Sequence, residues 1–245
     1  MNTRFCGAPS LFSVALLTVL ALSAETTVAQ DRQAERAYAD LQRSVVRIEV
    51  RYPSIFAPPG AGSGVVIGNG LIVTADHVID GASEVSVVHP GDDRQPAEII
   101  RRAPGHDLAL IRIDRAEALV PIGRHDRPVR PGQCVLALGN VMNSGVGIFG
   151  GIVSLAPDEP QPPEASGGIL TDITTPPGLS GGALVECDGQ TLVGIISFGV
   201  LALTSTATTA GIVGAVPVAW VEDLVALQVA CGATRHTQCM DEGLD

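Results

Sequence analysis

The chain has 245 residues, 46% of them apolar and 17% charged, and carries a net charge of −11 at pH 7. That balance excludes a disordered chain, and the length allows one large all-β domain or two small ones. Acidity without clustered cations argues against nucleic acid or an anionic lipid surface as a partner.

Residues 1–29 hold one early charge, Arg4, then an apolar run from Leu11 to Leu22 and the small-residue stretch Thr27-Val28-Ala29. This pattern predicts a secretory signal peptide cleaved after Ala29, because the apolar run is too short to span a membrane. The mature chain is then exported, periplasmic or secreted, with no stable membrane insertion after cleavage, and meets an oxidising compartment. In the stretch 30–43, Ala34, Ala37, Tyr38 and Leu41 recur at helical spacing behind Asp31, which predicts a short helical arm. Alternating or β-branched runs follow at Val45–Val50, Gly64–Ile67, Leu71–Thr74, Val85–Val88, Ala97–Ile100 and Leu108–Ile113. More come at Val135–Leu138, Gly151–Ser154, Ala183–Val185, Leu192–Ile196 and Gly211–Val213. Their short spacing leaves no room for crossover helices, so the fold class is all-β and antiparallel. Proline and glycine between Arg124 and Gly132 divide the strands into a first barrel over 44–127 and a second over 128–217. A helix over 218–230 and a polar tail over 231–245 complete the chain.

The segment Thr171–Leu184 contains Gly178-Leu179-Ser180-Gly181-Gly182, a glycine-bracketed turn that presents one hydroxyl and enters a strand. Serine needs a base to act as a nucleophile, a group that orients the base, and N–H donors for the oxyanion. All 15 basic residues are arginine. Without lysine there is no Ser-Lys dyad, and the base must be histidine. His89, His125 and His236 lie in polar, turn-like sequence that predicts surface positions. His77 stands directly after the strand Leu71–Thr74, and Asp107 directly before the strand that begins at Leu108. Taken singly, each also reads as an ordinary half-buried histidine or a polar turn.

Together, Gly62-Ser63-Gly64-Val65-Val66-Ile67, Thr74-Ala75-Asp76-His77-Val78, Asp107-Leu108-Ala109-Leu110-Ile111 and Gly178-Leu179-Ser180-Gly181-Gly182 resemble, in order, the trypsin-like peptidases. Their bacterial HtrA/Deg branch is the nearer likeness, over roughly residues 33 to 228. The resemblance implies two six-stranded antiparallel β-barrels with a short N-terminal and a C-terminal helix, and substrate in the cleft between barrels. It implies Ser180 as nucleophile, His77 as base, Asp107 as its orienting carboxylate, and the N–H groups of Gly178 and Ser180 as the oxyanion hole. It implies that the strand around Ser197, Phe198 and Gly199 pairs with substrate main chain, and that Thr174 lies at the base of the specificity pocket. A neutral Thr174 favours small or apolar side chains in a polypeptide substrate.

Two departures from the family matter. HtrA proteins usually carry PDZ domains after the protease, and none is expected in this chain. HtrA proteins usually have Asn before the nucleophile and trypsins Asp, where this chain has Leu179. Leucine can fix the turn only by packing, so the Pro177–Gly178 peptide is expected to sample a flipped state with low basal activity. The mature chain has four cysteines, which allow three pairings. The resemblance implies Cys134–Cys187, and Cys231–Cys239 is expected beside it. No metal-ligand spacing or phosphate loop occurs, so no cofactor or metal is expected. The function read here is an exported serine endopeptidase. The alternative is a protease-like peptide-binding or chaperone module that does not cut.

Overall fold

The computed structural model describes residues 34–89, 93–124, 128–161, 167–174, 176–189, 191–197 and 213–233. The signal peptide expected over residues 1–29, Phe198, Gly199, Cys239, His125 and His236 lie outside the described residues, as does the side chain of Cys231. The arm is a helix, α1, over residues 34–41. Seven strands follow: β1 (Val45–Arg51), β2 (Gly60–Val66), β3 (Leu71–Thr74), β4 (Glu84–Val88), β5 (Arg94–Pro96), β6 (Glu98–Ala103) and β7 (Leu108–Arg112). A one-turn helix, α2 (Asp76–Ile79), interrupts them after β3. These strands make one sheet in the order β5-β4-β1-β2-β3-β7-β6. Its two end strands are a single stretch of chain bent at Ala97, whose N–H donates to the Val85 carbonyl at 2.9 Å. The expected six strands become seven pieces at that bend.

The second sheet comprises β8 (Gly123–Arg124), β9 (Cys134–Asn140), β10 (Val146–Leu155), β11 (Ile169–Thr171), β12 (Ala183–Glu186), β13 (Thr191–Ser197) and β14 (Val213–Pro217). Its order is β12-β9-β10-β11-β14-β13-β8, and a β12–β13 pairing closes six of the strands into a ring. The pairing of β8 with β13 is parallel, against the antiparallel expectation. It continues the edge of β13 at Thr191 and Leu192, beyond the last β14 pair, Gly194 with Pro217. The final helix, α3, runs Val218–Ala233, three residues longer than its periodicity predicts.

Side chains alternate across a strand, and here both faces are apolar for a reason. Ala109 and Ile111 of β7 join Val46, Ile48 and Ile72 inside the first barrel. Ala137 of β9 and Leu184 of β12 join Ile169, Val193 and Ile196 inside the second. The alternate residues, Leu108 and Leu110, Leu136 and Leu138, and Ala183 and Val185, form a third cluster between the barrels. Ala37 and Leu41 of α1 and Val221 and Leu224 of α3 belong to that same seam. Runs such as Leu108–Ile111 are therefore continuous rather than alternating, because one face fills a barrel and the other joins two.

Cys134 and Cys187 form a disulfide, their Cα atoms 5.4 Å apart, at the start of β9 and just after β12. His89 departs from its expected surface position. It is 7% exposed, and a ring nitrogen meets the Gln95 side-chain amide. Gln95 in turn bonds the Arg115 main chain through both ends of its amide, so a local polar network makes burial tolerable.

Candidate active site

Strand register puts His77 and Asp107 together. Thr74 pairs with Ala109, so the residues just after β3 and just before β7 emerge at the same end of two neighbouring strands. His77 is the second residue of the one-turn helix α2 on the first of these, and Asp107 follows a 3-10 turn, Pro104–His106, on the second. Asp107 holds φ +50°, a left-handed conformation that Asp tolerates better than most residues. The Asp76 N–H donates to the Asp107 carbonyl at 3.2 Å and the His77 N–H donates to Asp107 Oδ1 at 2.9 Å. The imidazole Nδ1 then lies 2.8 Å from Asp107 Oδ2. With the carboxylate ionised, Nδ1 carries the proton and the other ring nitrogen, Nε2, is the free base.

Each member of the pair shifts the other. The hydrogen bond that His77 donates to Asp107 raises the His77 pKa above its ordinary value, burial opposes it, and the charges of Asp107 and Asp76 add to the rise. For Asp107, burial is the largest single influence and would push its pKa up. Hydrogen bonds from the His77 side chain, Ser197 and the His77 N–H together outweigh it, so the net shift is down. The Ser197 hydroxyl donates to Asp107 Oδ2 across the barrel seam. The Ser197 side chain is thus committed to the carboxylate. Ser197 is 3% exposed.

A second carboxylate sits behind the histidine. Asp76, 5% exposed, accepts two hydrogen bonds from Arg102, at 2.5 and 2.7 Å, and Arg102 also reaches Asp80. This fork anchors α2 to β6, and Arg102 pulls the Asp80 pKa down.

Ser180 stands in the turn between β11 and β12 and belongs to the second barrel. Its carbonyl accepts the Ser63 N–H of β2 at 2.8 Å, which ties the turn to the first barrel. Gly181 has φ +82°, and a Cβ there would lie 2.2 Å from the Ser63 carbonyl oxygen and 2.3 Å from Thr74 Oγ1. Only glycine lets the turn come that close to the end of β3, three residues before His77. No hydrogen bond joins Ser180 to His77 among the described residues. Catalytic contacts of this kind are often long without substrate.

Gly178 has φ +103°, and a Cβ there would lie 2.6 Å from the Asn140 carbonyl oxygen. The Pro177 carbonyl accepts the Met142 N–H at 3.1 Å. Because the peptide is trans, the Gly178 N–H points the opposite way, and it meets no acceptor among the described residues. Nor does the Ser180 N–H. The Pro177–Gly178 peptide, which Leu179 is expected to leave free to flip, is thus held at its carbonyl by Met142 in the conformation found. Leu179 is fully buried among the second barrel's core residues, so packing does hold the turn.

Thr174 lies exposed on the loop after β11, and Phe198 and Gly199 are outside the described residues. Sequence reasoning missed Ser63, Asn140, Met142 and Arg102. Ser63 and Asp76, which Arg102 holds, carried a signal in sitting within quoted motifs. Asn140 and Met142 carried none, since their contacts span many residues. No group of three or more His, Cys, Asp or Glu that could hold a metal occurs among the described residues.

Residues 62–195 match the trypsin-like peptidase domain family, more than half of the chain. The periplasmic serine endoprotease DegP of Salmonella typhimurium is 33% identical over 71% of this chain and 37% of its own length. A probable periplasmic DegP-like serine endoprotease of Marinomonas is 34% identical over 58% of this chain and 31% of its own. The chain thus spans about a third of the length of these relatives. Among solved structures, a serine endoprotease from Yersinia pestis superposes with a TM-score of 0.67 at 29% identity, covering 81% of this chain and 67% of that one. No helix among the described residues is long and apolar enough to cross a membrane.

Proposed function

The chain belongs to the trypsin-like peptidase family, and from that premise we propose that it is an exported serine endopeptidase cutting polypeptides between its two barrels. The observation that carries the reading is the His77–Asp107 pair, oriented by two hydrogen bonds and facing a glycine turn that presents Ser180. Ser180 Oγ attacks the scissile carbonyl while His77 Nε2 takes its proton, and Asp107 stabilises the imidazolium. The N–H groups of Gly178 and Ser180 receive the oxyanion. His77 returns the proton to the leaving amine, and water then releases the acyl group by the same steps in reverse. Extended substrate pairs with the main chain of Ser197, Phe198 and Gly199. The neutral Thr174 near the nucleophile favours small or apolar side chains before the cut. Residues 1–29 direct export, the destination that the names of the periplasmic relatives support.

The rival reading is a non-cutting peptide-binding or chaperone module that holds extended peptides in the same cleft. Hydrolysis of a fluorescently labelled unfolded polypeptide by the purified chain, and its loss in Ser180→Ala, tests the choice. Equal fluorescence release by both proteins, or none by the wild type, would favour the rival.

A further inference from the structure

Ser63 is fully buried, yet each of its polar groups is used. Its N–H donates to the Ser180 carbonyl at 2.8 Å, and its carbonyl accepts the Thr74 hydroxyl at 2.7 Å. Its own hydroxyl donates to the Gly178 carbonyl at 2.7 Å and accepts the Asn140 N–H at 2.7 Å. A buried serine with donor and acceptor both matched has one hydroxyl orientation, which makes it a fixed point. That point belongs to β2 of the first barrel, whereas Gly178 and Asn140 belong to the second.

The hydroxyl acts on both peptides that flank Gly178. It holds the Gly178 carbonyl directly. By anchoring Asn140 it also places the end of β9, and Met142, two residues on, holds the Pro177 carbonyl. A glycine at φ +103° has freedom that only constraints on its neighbouring peptides can remove. Leu179 offers packing but no hydrogen bond to supply them. We propose that Ser63 is the positioning residue of the oxyanion hole. Its hydroxyl reaches across the seam to keep the Gly178 N–H turned toward the reacting carbonyl, in place of a polar side chain at position 179. The inference rests on the serine-endopeptidase reading and assigns Ser63 no contact with substrate.

The test is Ser63→Ala, assayed for peptide hydrolysis and for inhibition by a peptide boronate, whose tetrahedral adduct on Ser180 places an oxygen in the hole. Losing an oxyanion donor outright costs about 10²- to 10³-fold in turnover, and a donor that is only part-time aligned costs less. Ser63→Ala is expected to lower kcat about 10- to 100-fold with KM within about twofold. Boronate affinity is expected to fall in parallel, with the thermal midpoint above the assay temperature. Ser63→Cys, which keeps a weak donor, is expected to fall between the two, and takes the place of the alanine variant should that fail to fold. Unchanged kcat in a folded Ser63→Ala, beside an active wild type, overturns the inference alone. So does a rise in KM that accounts for the whole loss. A wild type that neither cuts nor binds boronate overturns the endopeptidase reading and this inference with it.

Discussion

Replacing Leu179 by Asn restores the residue that HtrA proteins usually carry before the nucleophile, and sequence alone predicts a gain in basal activity. The structure reverses that prediction. Leu179 is fully buried and packs with Ile169, Ile173, Leu184 and other apolar residues of the second barrel. Removing its side chain from that site loses about 2–3 kcal/mol of apolar burial. An amide placed there without partners adds a desolvation penalty of about 1–3 kcal/mol. The sum, about 3–6 kcal/mol, is a large share of the roughly 5–15 kcal/mol that holds a domain together. Urea unfolding measures it directly: with a slope of about 2 kcal/mol/M, the midpoint should fall by about 1.5–3 M at unchanged slope. Turnover per folded molecule should not rise. A Leu179→Asn protein within about 1 kcal/mol of the wild type and faster at rest would refute the reasoning. It would show that the amide finds partners and that leucine had left the turn loose.

Further outcomes are expected. Because the His77 pKa is raised, the neutral base forms only above the ordinary histidine value, so the acidic limb of kcat/KM should lie above pH 6.5. The stability from this contact is then fully present below pH 6.5 and lost as pH rises through the folded pKa, which pH-dependent unfolding would register. Asp107→Asn should move the limb down and cut turnover by about 10³- to 10⁴-fold, and a limb that stays in place would remove Asp107 from its role. Arg102→Gln leaves the Asp76 carboxylate without its partner beside His77, and should move the same limb to higher pH. Adding Asp76→Asn should bring it back, and a limb indifferent to both changes would show that Asp76 is too well screened to matter. Replacing Cys134 and Cys187 by serine opens a loop with a sequence separation of 53 residues, worth about 4 kcal/mol in the chain-entropy account. Denaturation of the double variant within about 1 kcal/mol of the wild type would contradict that magnitude.

Much of the fold was legible because its signals are local. The run Leu108–Ile111 reads as a strand from four residues, and the order His77, Asp107, Ser180 reads as chemistry through the resemblance of its four segments to the trypsin-like peptidases. The short strands β5, β8 and β11 were not legible, since two or three residues carry no period and their pairing depends on partners far along the chain. The site divides in the same way. His77 and Asp107 lie only 30 residues apart, at one end of two paired strands. Ser63 meets Gly178 across 115 residues and Asn140 across 77, and no local pattern records such a bond. Leu179 divides likewise: its identity is visible in sequence, while the apolar surroundings that hold it are made by strands from several parts of the second barrel. His89 stands in turn-like sequence, but burial is decided by Gln95, whose amide is in turn fixed by Arg115 twenty residues further on.

If His77 and Asp107 make Ser180 a nucleophile, covalent labelling reveals it without any knowledge of the natural substrate. The purified chain is treated with a fluorophosphonate, digested, and mapped by mass spectrometry, beside His77→Ala. The account predicts one phosphonyl adduct, on Ser180, formed quickly in the wild type and at least about 10³-fold more slowly without His77. No adduct on Ser180, or labelling at the same rate in His77→Ala, would contradict it.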